Sequence, residues 1–86
     1  MFTFNVIHLI ERKQKAMLKY LLSSKRAKNL ENAFEILLQS QTYALLINEE
    51  NHFYLKSDEN LVHILELELN GELVKWKKAT RPMAVI

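Results

Sequence analysis

A single glycine, Gly71, and a single proline, Pro82, serve all 86 residues. Glycine supplies the positive φ of the tightest turns and proline pre-sets others, so a chain with one of each makes few sharp reversals. It must be assembled from long regular elements. Eighty-six residues give room for one domain, 1–86. A domain of that size buries roughly 60–65% of the surface its unfolded chain exposes, enough for a modest core but not for a core plus a deep cleft. Hydrophobic residues make up 49% of the chain, which is globular rather than disordered composition.

There is no cysteine. That removes a disulfide framework, a thiolate nucleophile and a sulfur-ligated zinc site, and it suits a reducing compartment. Residues 1–7 carry no basic run and no small-residue cleavage site follows them, which argues against a secretory signal. No charge-free apolar run approaches the ~20 residues of a membrane span. The expected location is the cytoplasm, with no membrane partner.

Charge is segregated along the chain. Residues 1–28 hold seven basic side chains against Glu11, residues 29–72 hold nine acids against Lys56, and residues 73–86 hold Lys75, Lys77, Lys78 and Arg81 with no acid. Two basic ends around an acidic middle raise the question of an anionic partner.

Phe2, Phe4 and Val6 alternate with polar residues, which reads either as a short strand or as the lead-in to a helix. From 7 to 22 the period is helical. Ile7, Ile10, Gln14, Met17, Leu18 and Leu21 share one face, and His8, Arg12, Lys15 and Lys19 share the opposite one. Ser23 and Ser24 break the pattern. Asn29 is a good N-cap for a second helix, with Glu31 in its first turn and Leu30, Ala33, Phe34, Leu37 and Leu38 as its buried stripe.

Beyond Gln41 the chain reads as strands. Residues 43–47 and 52–55 are β-rich apolar runs joined by a polar four-residue loop, and residues 56–60 form the next turn. Residues 61–69 and 72–78 flank Asn70-Gly71, a dipeptide that favours a type I′ hairpin turn. That register pairs Leu65 with Trp76 and Leu67 with Val74 on a core face, and Glu66 with Lys75 on the other, each such charge pair worth about 0.2–1 kcal/mol. The expected fold is therefore α+β, with two N-terminal helices packed on one face of a four-stranded antiparallel meander. Residues 2–6 would make a fifth strand if they pair.

In the first hairpin both faces are apolar, and helices can cover only one. Tyr43, Leu45, Ile47 and Tyr54 then form an outer patch that either binds a partner or a second copy, or is covered by the N-terminal strand or the tail Met83–Ile86. The face His8, Arg12, Lys15 and Lys19, extended by Lys25, Arg26 and Lys28, is a candidate anion or nucleic-acid surface. Trp76 among Lys75, Lys77, Lys78 and Arg81 would suit single-stranded nucleic acid, but the hairpin register turns the ring inward. His8, His52 and His63 have no metal-ligand spacing, and His52 beside Glu49 and Glu50 reads as a hairpin-end histidine. No catalytic residue, metal or cofactor is expected.

The order strand, two helices, meander is similar to that of RelE-type ribonuclease toxins. Lys77, Lys78, Arg81 and Tyr54 are the residues comparable to the basic and aromatic groups of that family. The resemblance implies a metal-independent ribonuclease, and the acidic middle of the chain departs from it. The expected function is a small non-catalytic interaction or regulatory module of the accessory or inhibitor type common in bacterial and phage genomes. It would act through a protein surface as a homodimer or with another protein. Nucleic-acid binding through the basic helix is the alternative, and a RelE-like toxin the third.

Overall fold

The first 20-residue helix, α1, runs from Phe4 to Ser23 in a computed structural model that describes residues 4–81. Its burial follows the 3.6-residue period at Ile10, Met17, Leu18 and Leu21, whereas Ile7, expected on the same face, is 43% exposed. Ser23 and Ser24 turn their hydroxyls onto the carbonyls of Tyr20 and Leu21. Lys25 then reverses the chain at φ 62°, and the Ala27 N–H closes back onto Leu21 O at 3.0 Å. Side-chain oxygens that compete for backbone groups, followed by a left-handed residue, are what ends a helix.

Helix α2 spans Leu30–Gln39 and starts where the cap predicts, with Asn29 Oδ1 accepting the Asn32 N–H at 2.8 Å. Asn32 Oδ1 accepts the N–H of Lys28, the residue before the cap, at 3.0 Å, which ties the incoming chain to the first turn. Ser40 ends α2 and begins α3, Gln41–Leu46. Its hydroxyl donates to Leu37 O at 2.7 Å and accepts from the Tyr43 N–H at 3.1 Å. Two 3₁₀ turns follow, Glu49–Asn51 and Phe53–Leu55, with His52 between them at φ 55°.

Ser57 caps α4, Asp58–Leu69, by accepting the Asn60 N–H at 3.1 Å, and Asp58 and Glu59 favour the positive end of the helix dipole. Gly71, at φ +74°, ends α4. Its N–H bonds Glu68 O and the Glu72 N–H bonds Leu67 O, both at 3.0 Å, which is a Schellman cap. The seven-residue α5, Leu73–Ala79, follows.

Helices α1 and α4 form the centre. Leu61, Ile64 and Leu65 of α4 are fully buried with Met17 and Leu21 of α1, Leu37 of α2 and Leu46 of α3. Each such side chain contributes about 1.5–3 kcal/mol by leaving water. Helix α2 packs on α1 and α3, α5 packs on α4, and the second 3₁₀ turn brings Phe53 and Tyr54 to α1. The described residues measure 42 × 33 × 19 Å. With helices about 10 Å across, that thickness holds two layers, so the helices keep a face in solvent.

The α+β expectation is overturned, because the described residues contain helices and no strand. The 43–55 hairpin is α3 and two 3₁₀ turns, and the 61–78 hairpin is α4 and α5. Leu65 and Leu67 are buried among helices, while Val74, assigned to the same core face, is 71% exposed. Lys75 bonds Glu72 at 3.1 Å rather than pairing with Glu66 across a sheet. Asn70-Gly71 does reverse the chain, because a positive-φ glycine serves a helix C-cap as well as a hairpin. Of the proposed first strand, residues 4–6 are helical, and Phe2 and the tail Met83–Ile86 lie outside the described residues. With no sheet, the element order that carried the RelE-type resemblance is gone.

Candidate interaction surfaces

His8, Arg12, Lys15 and Lys19 are spaced by four, three and four residues, so α1 stacks them on one face opposite Ile10, Met17 and Leu21. All four are exposed, and at 1.5 Å per residue they form a ridge about 16 Å long. No carboxylate forms an ion pair with Arg12, Lys15 or Lys19 among the described residues. Lys25 and Lys28 extend the exposed charge into the α1–α2 link.

Two neighbouring cations are occupied inside the fold. Arg26 Nε donates to the Tyr20 hydroxyl at 2.9 Å, its Nη2 donates to Asn70 Oδ1, and Tyr20 in turn donates to Glu66 Oε2 at 3.3 Å. Arg26 therefore ties the α1–α2 link to the end of α4 rather than extending the ridge as a free charge. Lys13 is buried and meets Asp58 Oδ1 at 2.7 Å.

The four residues expected to form a partner patch do not share one surface. Tyr43 and Ile47 lie one helical turn apart at the end of α3, the first half-buried and the second 41% exposed. Leu45 is half-buried and falls elsewhere around the same helix. Tyr54 is in the core, in edge-on contact with the His52 ring at 5.9 Å.

Other aliphatic side chains take the solvent instead. Leu30 and Leu38 of α2 are 54% and 61% exposed, and Leu73 and Val74 of α5 are 55% and 71% exposed. Leu55, Leu22, Ile7 and Ile47 are also exposed. Lys15, Leu18, Lys19, Leu22, Ser23 and Leu30 line a shallow groove of about 560 Å³, so the basic ridge borders an apolar trough. Leu30 and Leu38 carried a core signal in the sequence, as did Val74. Only the packing shows that α2 buries Ala33 and Leu37 and leaves Leu30 and Leu38 outside, and that α5 leaves Val74 outside.

A second cleft, about 540 Å³, is lined by His63, Glu66, Glu72, Lys75 and Lys78 with Leu67 and Ala79. Four of its five charged or titratable groups pair with one another, and Lys78 is outside these pairs. Lys75 hydrogen-bonds Glu72 and, together with its charge, holds that carboxyl below the usual carboxylate range against a weak opposing effect of burial. His63 Nδ1 lies 3.8 Å from Glu66 Oε1. Among the described residues no three His, Asp or Glu side chains gather as a metal site would require. No helix there is long and apolar enough to cross a membrane.

The chain matches no protein-family model, no curated protein and no solved structure. The surfaces that can carry a function are the apolar patches and the basic ridge.

Proposed function

We propose that this chain is a small non-catalytic interaction module that self-associates through exposed aliphatic side chains. The observation that carries the reading is the set of eight large aliphatic residues each at least 38% exposed, on a slab only 19 Å thick. Single exposed aliphatics are ordinary, but Leu30 with Leu38, and Leu73 with Val74, are grouped on single short helices. Sedimentation of the full chain over a wide concentration range tests it. The expected result is a mass that rises with concentration and falls back when Leu30 and Leu38 are both changed to Asp. A monomer at every concentration overturns the reading.

A second reading is favoured by Arg12, Lys15 and Lys19 of α1, which form no ion pair among the described residues. Arg12, Lys15 and Lys19 can track phosphates along the ridge, and each phosphate neutralised lowers log K by about 0.9 per decade of salt on duplex DNA. Binding of a mixed-sequence oligonucleotide that falls steeply with salt, and is lost on Arg12→Glu/Lys15→Glu/Lys19→Glu, would support it. Weak binding indifferent to those three changes would exclude it.

A further inference from the structure

Two of the exposed apolar patches carry opposite charge. On α2, Glu31, Glu35 and Leu38 lie on the side turned away from the buried Ala33 and Leu37, Leu30 sits on the flank towards the groove it lines with Leu18 and Leu22, and the helix has no basic residue. On α5, Val74, Lys77 and Lys78 lie on the side turned away from the half-buried Trp76 and Ala79, Leu73 sits on the flank one turn before Trp76, and the helix has no acid. Glu31, Glu35, Lys77 and Lys78 are all exposed and none of them is in an ion pair among the described residues. Each patch therefore offers one exposed aliphatic side chain with a second on its flank, and two charges outside any ion pair among the described residues. What one patch lacks the other presents.

We propose that the α5 face of one copy docks on the α2 face of the next, with Leu73 and Val74 against Leu30 and Leu38, and Lys77 and Lys78 against Glu31 and Glu35. This rests on the self-association reading and names the surfaces that meet. The occupant is a second copy because this chain itself carries both patches and their charges are complementary, acidic on α2 and basic on α5. Like charges keep two α2 faces apart, and two α5 faces likewise, so each contact joins an α2 face to an α5 face, either reciprocally in a two-fold dimer or head-to-tail. In the head-to-tail arrangement the first copy keeps a free α2 or α5 face and the last copy keeps the other. Assembly then continues past two copies unless the rotation closes a ring. Helix α5 is only seven residues long, so each contact is small and belongs with weak, transient interfaces.

Charge reversal tests the pairing on the full-length chain. Glu31→Lys/Glu35→Lys makes both faces basic, and Lys77→Glu/Lys78→Glu makes both acidic. Each variant alone should associate at least about tenfold more weakly than the unmodified chain in light scattering, and an equimolar mixture should restore assembly with alternating copies. All four residues are exposed, and circular dichroism checks that the variants fold. If a reversal unfolds the chain, the corresponding double change to Gln replaces it, with weakening but no rescue expected.

Reversed variants that associate like the unmodified chain, or a mixture that stays dissociated, overturn the α2–α5 contact while leaving self-association standing. An unmodified chain that is monomeric throughout overturns both. Capture of that monomer by anionic vesicles or an oligonucleotide through Lys77 and Lys78 would assign the α5 face to an anionic surface instead.

Discussion

Glu68 and Thr42 meet twice, the Oε1 of the carboxylate accepting the Thr42 backbone N–H at 2.9 Å and its hydroxyl at 2.7 Å. Oε2 accepts the Gln41 N–H at 2.7 Å, and Ser40 Oγ takes the Tyr43 N–H, so three orphan donors at the start of α3 are satisfied. The same Thr42 oxygen accepts the Trp76 indole N–H at 2.9 Å. One fully buried hydroxyl thus links α3, α4 and α5.

Thr42→Val keeps the shape and removes the oxygen. The Trp76 N–H loses its acceptor and Glu68 loses a donor, which should cost about 1–3 kcal/mol in denaturant unfolding. Trp76 is the only tryptophan, so its fluorescence should report a loosened α5 directly. Glu68→Gln, which retains one acceptor oxygen, should cost less than Glu68→Ala. A Thr42→Val chain as stable as the parent, with unchanged emission, would show that the linkage contributes nothing.

Gly71 separates a backbone requirement from a packing one. A Cβ built there meets nothing within 4 Å, so a substitution creates no clash and its cost comes from φ +74° alone. Gly71→Ala should destabilise by about 1–2 kcal/mol, and Gly71→Asn by less, because asparagine tolerates the left-handed region. Equal losses for the two in thermal or urea unfolding would point away from the backbone explanation.

The first two helices were legible because their signals are local. The stripe of α1 repeats at helical spacing, and Asn29 caps as an isolated helix would need. The second half misleads because Leu65-Glu66-Leu67-Glu68-Leu69 alternates apolar and acidic residues, a strand's period, while α4 buries Leu61, Ile64, Leu65 and Leu67. Glu66 and Glu68 can sit half-buried among them because Tyr20 and the start of α3 supply donors, and those partners are distant in sequence. Ser40, and Ser57 followed by Asp58 and Glu59, are N-cap signals that outweigh the β-propensity of the residues after them. The outward basic face of α1 was readable for the same reason as its core. The exposed faces of α2 and α5 were not, since exposure depends on which neighbours a short helix finds.

Acid should act weakly through Glu72. The hydrogen bond and charge of Lys75 lower its carboxyl below the ordinary carboxylate value, so its stabilising effect is present above that ordinary value and is lost as pH falls through the folded one. The pair faces solvent, and screening keeps the effect on stability small. An NMR titration should find Glu72 ionised at lower pH than a free glutamate, and Lys75→Met should return it toward the ordinary value. A Glu72 titration indifferent to Lys75→Met would exclude the pairing in solution.

The Lys13–Asp58 pair is asymmetric, and so should be its mutants. The Lys13 side chain is 11% exposed and that of Asp58 35%, with 2.7 Å between Nζ and Oδ1. Asp58→Asn leaves an ammonium buried beside α1 with its counter-charge gone, a situation that costs about 3–5 kcal/mol in full burial and somewhat less at this partly open site. Lys13→Met removes the charge but keeps an apolar stem of similar length among the same neighbours. It leaves behind a carboxylate that water can reach and that still suits the first turn of α4. Lys13→Met should therefore cost less than about 1.5 kcal/mol, and Lys13→Met/Asp58→Asn should be more stable than Asp58→Asn alone. Urea unfolding of the three variants measures both differences. If Lys13→Met proves the more damaging single change, then Lys13 is held by its charge to something other than Asp58, and the link between α1 and the start of α4 has a different basis.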